Sequence, residues 1–183
     1  YVTGPYTLAA LIIGADEAAM ATVLQPDLLD RLCHIATEKI LDYTRMLLGA
    51  GANVICILEP SAVMLGPPQF QQFSADYAKH ITHACGLSGA SSIYHICGNS
   101  MHLIDAMVKA DVDGISLDSK ETGIDLGKVI QQVPKHVAVI GNVNPVQTML
   151  YGTPDLVRQE TRHLLDAMKP YPNFILSTGC DLP

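Results

Sequence analysis

The sequence predicts an α/β fold built on a parallel sheet, and three observations carry that reading. Short β-rich runs alternate with helical patterns along the 183 residues. Most of these runs are apolar throughout, without period-two alternation, as expected of parallel strands covered on both faces. Polar and metal-competent side chains follow the runs directly, which is where parallel architectures build their sites.

The expected strands are "YVT" (1–3), "NVICIL" (53–58), "SSIYH" (91–95), "GISL" (114–117), "HVAVI" (136–140) and "NFILS" (173–177). Helical patterns lie between them. The segment 26–52 places Leu28, Leu29, Leu32, Ile35, Ala36, Ile40 and Tyr43 on one stripe and stops at Gly49 and Gly51. The segment 67–86 opens on prolines and closes at Gly86. Shorter helices are expected at 100–109, 125–132 and 145–150, and another at 153–168. In the last, Thr153 caps, Pro154 takes the first position and Asp155 suits the helix dipole.

A chain of this length fits one domain, given the usual ~100–200 residues. With 49% apolar and 16% charged residues, the composition is core-rich and globular rather than disordered. The net charge of −7 and the lack of a basic stripe argue against a nucleic-acid-binding surface. No apolar stretch reaches the ~18 residues of a membrane span. No secretory signal is visible, and the chain starts at Tyr1 without a Met. Five cysteines without disulfide-framework spacing point to a reducing, cytoplasmic setting, with cysteines as core residues or metal ligands.

Two architectures remain open at this point. One is a doubly wound open sheet; the other is a (β/α)8 barrel. No G-x-G-x-x-G follows the first strand, so the dinucleotide-binding version of the open sheet loses support. A barrel needs eight strands and typically about 250 residues. The abrupt ends at Tyr1 and Pro183 then fit a fragment lacking two strands. Its two open edges would need a partner, a second copy or the rest of the chain.

The strand ends carry Glu59 and Ser61, then His95 and Cys97, then Asp118, then Asn142, then Cys180 and Asp181. His95 and Cys97 are two apart at the end of an extended run, so both point to one side. Cys180 is a further soft donor at another strand end. His, Cys and Cys with one open position is a catalytic zinc arrangement. A single histidine in an apolar neighbourhood is more often a satisfied core residue, but the coincidence of three strand-end donors weighs against that. Cys33, Cys56 and Cys85 read as core residues. His102 is either a competing ligand or one turn into a helix capped by Asn99 or Ser100. His34, His80, His83, His136 and His163 read as surface residues. "GLSGA" is no nucleophile elbow, and "GADEAAM" lacks the Gly-Lys-Ser/Thr of a phosphate loop. Glu59 and Asp118 read equally as paired acid–base carboxylates or as loop anchors.

Taken together, "GPYTLAA" (4–10), "YHICGN" (94–99), "ISLD" (115–118), "GNVNP" (141–145), "YGTPDLV" (151–157) and "ILSTGCDLP" (175–183) resemble the uroporphyrinogen decarboxylase superfamily. Within it they resemble the methylcobamide:coenzyme M methyltransferase branch. The resemblance implies a (β/α)8 TIM barrel, present as a partial barrel of about six β/α units. Residues 1–183 are then the C-terminal portion of a single barrel domain, without its first strands and last helical region. The branch is marked by H-x-C and a distant Cys that bind zinc, which implies His95, Cys97 and Cys180 as ligands. Decarboxylases of the superfamily lack this metal set and use positive charge at the mouth, which these strand ends do not carry.

The implied reaction moves a methyl group from a methylated corrinoid such as methylcobalamin to a thiol such as coenzyme M. Free thiols have a pKa of about 8.5 and are nucleophilic as thiolates. Zinc coordination deprotonates a bound thiol. Two cysteinates cancel the zinc charge and His95 is neutral, so electron density stays on the substrate sulfur. Zinc then generates the nucleophile. Glu59 or Asp118 is expected as a catalytic carboxylate, taking the fourth position or orienting His95. Asn142 is expected to hydrogen-bond the substrate or corrinoid, and the loop 61–68, with Ser61 and Met64, to cover the mouth. A separate corrinoid protein is the expected partner. The alternatives are a decarboxylase-like enzyme acting on a tetrapyrrole and a non-catalytic corrinoid- or tetrapyrrole-binding protein.

Overall fold

The computed structural model describes residues 1–182. Six strands form one sheet: β1 (Val2–Thr3), β2 (Val54–Leu58), β3 (Ser91–Ile96), β4 (Gly114–Leu117), β5 (Ala138–Val143) and β6 (Phe174–Thr178). Neighbours in space are neighbours in sequence, and every pair is parallel. A doubly wound sheet reverses its strand order at a switch point, and this one does not. The fold is therefore a six-strand arc of a (β/α)8 TIM barrel.

Right-handed crossovers in such an order put every intervening helix on one side of the sheet. These helices are α1 (Pro5–Ile13), α2 (Ala15–Leu24), α3 (Pro26–Gly49), α4 (Pro67–Phe70), α5 (Asp76–Leu87), α6 (Ile104–Val108), α7 (Leu126–Gln132) and α8 (Pro154–Met168). The core lies between helices and sheet. Ile55, Ile57, Tyr94, Ile115, Leu117 and Val139 from the strands meet Leu29, Cys33, Phe73, Ile81, Met107 and Val129 from the helices. Alternate strand positions face the barrel interior.

The strands form at the expected places to within a residue, except β5, which starts at Ala138. β5 runs on to Val143, so Gly141 and Asn142 lie inside it rather than after it. Gly141 has φ of +144°, and a Cβ there would stand 2.8 Å from the Leu117 carbonyl oxygen, so only glycine fits this crossing.

Helices α1 and α2 fill 5–24, where no helix is expected from sequence. Helix α3 buries a stripe that overlaps the expected one at Leu29, Ala36 and Ile40 and departs from it elsewhere. Leu29, Cys33, Ala36, Thr37, Ile40 and Thr44 face the core, while Ile35 and Tyr43 are 51% and 50% exposed. Thr37 and Thr44 tolerate burial because their hydroxyls donate to the carbonyls of Cys33 and Ile40 at 2.7 and 2.8 Å. The helix expected at 145–150 is a π-helical turn, Pro145–Leu150, capped by Asn144 Oδ1. Thr153 caps α8 as expected. Cys33 and Cys85 are core residues; Cys56 departs from that expectation, being half-buried on the interior face of β2. Among the described residues no single helix is long and apolar enough to cross a membrane.

Candidate metal centre

Strand β3 sends Tyr94 outward to the helices and His95 inward. The run ends at Ile96, and Cys97 follows on the same side as His95. Strand β6 ends at Thr178, and Gly179 then brings Cys180 to the same mouth. The Gly179 N–H donates to the Val143 carbonyl at 2.8 Å. A Cβ on Gly179 would overlap the backbone of Asp118 and Ser119, so glycine permits the end of β6 to lie against the end of β4.

The three donors converge. His95 Nε2 is 3.2 Å from Cys97 Sγ and 3.8 Å from Cys180 Sγ, and the two sulfurs are 3.3 Å apart. Among the described residues they form the one group of at least three His, Cys, Asp or Glu donors lying within 4.8 Å of one another. Tetrahedral zinc with standard Zn–S and Zn–N lengths needs edges of about 3.8 Å between sulfurs and about 3.6 Å between sulfur and nitrogen. Small side-chain rotations close these differences, so the donor set fits zinc by chemistry and size.

The surroundings hold the donors in place. His95 Nδ1 lies 3.0 Å from Ser116 Oγ, directly across the β3–β4 register. Asp118 Oδ2 accepts from the Gly98 N–H at 2.7 Å and Oδ1 from the Ser119 N–H at 2.6 Å, which fastens the turn after Cys97. Asn142 Nδ2 donates to the Asp118 carbonyl at 2.9 Å. Asp118 and Asn142 thus brace the mouth through backbone contacts.

Burial sets the electrostatics. It pushes the His95 pKa below its ordinary 6.5, against a hydrogen bond to the Ser116 backbone and the charges of Asp118 and Asp181. His95 is therefore neutral near pH 7, the form that ligates metals. Burial, the hydrogen bond to Cys180 and the charge of Cys180 push the Cys97 thiol up to about 12. Without a cation Cys97 stays protonated; a divalent ion at this position supplies the charge that reverses this.

Other expected residues lie elsewhere. Glu59 is fully buried on the helix side of the sheet, not at the cluster. Its carboxylate accepts from the N–H groups of Tyr6 (3.3 Å) and Thr7 (2.5 Å) and from Ser74 Oγ (2.7 Å), which also contacts Tyr94 OH at 2.5 Å. It caps the start of α1, and Gly4 leaves room for it, since a Cβ there would overlap the carboxylate. Burial pushes its pKa up, against the hydrogen bonds that favour the charged form. The anchor reading of Glu59 thus replaces the acid–base or ligand reading. Its one link to His95 is a backbone bond, Glu59 N–H to the His95 carbonyl at 2.9 Å.

The Ser61 N–H donates to Thr7 Oγ1 at 3.2 Å, and Met64 is 64% exposed at the end of the 3-10 turn Pro60–Met64. From the same loop, Val63 lies beside Gly98. His102 is no competitor for the cluster, because its Nε2 meets the Leu65 carbonyl at 3.0 Å. Ser116 and Gly179 escape sequence reasoning. The trace of the first is a hydroxyl inside an otherwise apolar strand; of the second, a glycine directly before a donor cysteine.

The sequence model of the family described as Uroporphyrinogen decarboxylase (URO-D) matches residues 1–183. A "Uroporphyrinogen decarboxylase" of Parasynechococcus marenigrum is 30% identical over 165 residues, covering 86% of this chain and 45% of the relative. A "Methylcobamide:CoM methyltransferase MtbA" of Methanosarcina acetivorans is 27% identical over 182 residues, covering 98% and 51%. A solved structure, "methyltransferase from Methanosarcina mazei", matches with TM-score 0.85 at 25% identity, over 98% of this chain and 51% of that one. The chain spans about half the length of the curated relatives it matches.

Proposed function

This chain belongs to the uroporphyrinogen decarboxylase (URO-D) family, and from that premise we propose that it is part of a zinc-dependent methyltransferase that moves a methyl group from a methylated corrinoid to a thiol. We take the chain as the C-terminal portion of a single TIM-barrel domain. The observation that carries the reading is the convergence of His95, Cys97 and Cys180. A methyltransferase relative and a methyltransferase structure, each matched over 98% of this chain, support it.

His95 Nε2, Cys97 Sγ and Cys180 Sγ would hold the zinc, leaving one position open. When bound, zinc supplies the charge that turns an acceptor thiol into a thiolate at neutral pH. The chain's residues do the rest. Neutral His95 adds no charge to the two cysteinates. Asp118 holds the Cys97–Gly98 turn. Leu58, Ser177 and Thr178 line a cavity of about 110 Å³ beside the cluster, where the carbon chain of a small thiol fits. Coenzyme M is the acceptor to test first, and a separate corrinoid protein is the expected donor. The free cysteines suit a reducing cytoplasm.

One observation favours a second reading, a decarboxylase acting on a tetrapyrrole: the decarboxylase relatives reach 30% identity. A metal count and two assays on the full-length protein separate the readings. The expected result is about one zinc per chain, from one three-donor site, and demethylation of methylcobalamin that depends on an added thiol. A metal-free protein that releases carbon dioxide from uroporphyrinogen would overturn the proposal. Zinc without methyl transfer to any thiol would leave a non-catalytic binding protein.

A further inference from the structure

We infer that Ser116 is a positioning residue of the metal centre: its hydroxyl holds the His95 ring in the orientation that turns Nε2 to the two sulfurs. The inference rests on the zinc reading above. His95 Nε2 faces both sulfurs, at 3.2 and 3.8 Å, so Nδ1 is the nitrogen left over. Its partner is Ser116 Oγ at 3.0 Å. A neutral imidazole that ligates through Nε2 must keep its proton on Nδ1 and needs an acceptor there. With the proton on Nε2 instead, that nitrogen has no lone pair to offer.

The placement is rigid. His95 and Ser116 are register partners on adjacent parallel strands, and both face the barrel interior. On β4, Ile115 and Leu117 are fully buried in the core. Strands hold such geometry more tightly than loops do.

The type of residue matters as well. Ligating histidines commonly lean on a carboxylate, a carbonyl or water. A carboxylate at position 116 would push negative charge through His95 into a centre that already carries two thiolates. A hydroxyl fixes the ring and adds no charge. The nearby Asp118 carboxylate makes no hydrogen bond to His95; its oxygens accept from the Gly98 and Ser119 N–H groups instead.

Ser116→Thr and Ser116→Val test this in the full-length protein, because the two new side chains share a shape and differ by a hydroxyl. Affinity for zinc is read by competition with a chromophoric chelator, and the site geometry by the visible absorption of the cobalt(II)-loaded protein. Ser116→Val is expected to bind zinc roughly 10–100-fold more weakly and to shift the cobalt spectrum, while Ser116→Thr stays near the parent in both. Equal affinities and spectra in all three proteins would overturn the inference. An equal fall in both variants would do so too, because it would mark a packing effect. If the parent itself binds neither ion, the zinc reading fails, and the role of Ser116 with it.

Discussion

The sulfurs of Cys97 and Cys180 lie 3.3 Å apart across 83 positions of sequence. That approach depends on the curvature of β3, β4, β5 and β6 together. Cys180→Ala in the full-length protein should lower bound zinc well below one per chain, measured by elemental mass spectrometry. The loss should exceed the roughly 10–100-fold that changing an outer partner costs. Stoichiometric zinc in the variant would contradict the ligand set.

The metal-free protein should lose stability in acid. The folded pKa of His95 lies below 6.5, because burial disfavours the charged ring. The unfolded ring therefore binds a proton where the folded one does not. Its contribution is present above 6.5 and is lost as pH falls through the folded value. Cys97 acts at the other end, its contribution being present below 9.0 and lost as pH rises towards about 12. The urea midpoint of metal-free protein should fall between about pH 8 and about pH 5.5, and His95→Gln should flatten that fall. An unchanged acid slope in the variant would remove His95 from the explanation.

Glu59 should matter for stability and not for metal. Glu59→Ala strands the Tyr6 and Thr7 N–H groups and Ser74 Oγ in the interior, and should cost about 3 kcal/mol or more in urea unfolding. Glu59→Gln keeps one acceptor oxygen but turns its amide NH2 towards one of the two backbone N–H groups, so it should cost less than Glu59→Ala, about 1–3 kcal/mol. Zinc content should be unchanged in both. A loss of zinc in a folded Glu59→Gln protein would argue for a role at the cluster.

Gly179→Ala should weaken metal binding by at least about tenfold, because its Cβ would meet the backbone of Asp118 and Ser119 and push Cys180 away from Cys97. Gly86 has open space around it, so Gly86→Ala serves as a control that leaves affinity unchanged. Chelator competition on both proteins decides the matter. Parent-like affinity in Gly179→Ala would mean that the turn relaxes without moving the sulfur.

Much of this was legible in the sequence, and each failure has a physical cause. The strands were readable because apolar runs of β-branched residues are a local signal. The donors were readable because they stand directly after those runs. Helices α1 and α2 were not: "PYTLAALII" is apolar on nearly every face and shows no helical period. The buried stripe of α3 was only partly placed, at Leu29, Ala36 and Ile40, because Thr37 and Thr44 count as polar until their hydroxyls bond back to the helix. Glu59 looked like a mouth carboxylate because its partners at Thr7, Tyr6 and Ser74 lie 52, 53 and 15 positions away. Ser116 acquires meaning only when β4 is laid beside β3 in register.

The strands adjoin in the order in which they are synthesised. Each new one finds its neighbour already laid down, so this part of the molecule can be assembled as it leaves the ribosome. Cys180 follows 83 positions after Cys97, about 4–17 s later at ordinary translation speeds. An ion captured in that interval would have only two of the three protein donors. On the zinc reading, loading would be a late event, and an occupied centre would report that every strand from the third to the sixth has docked.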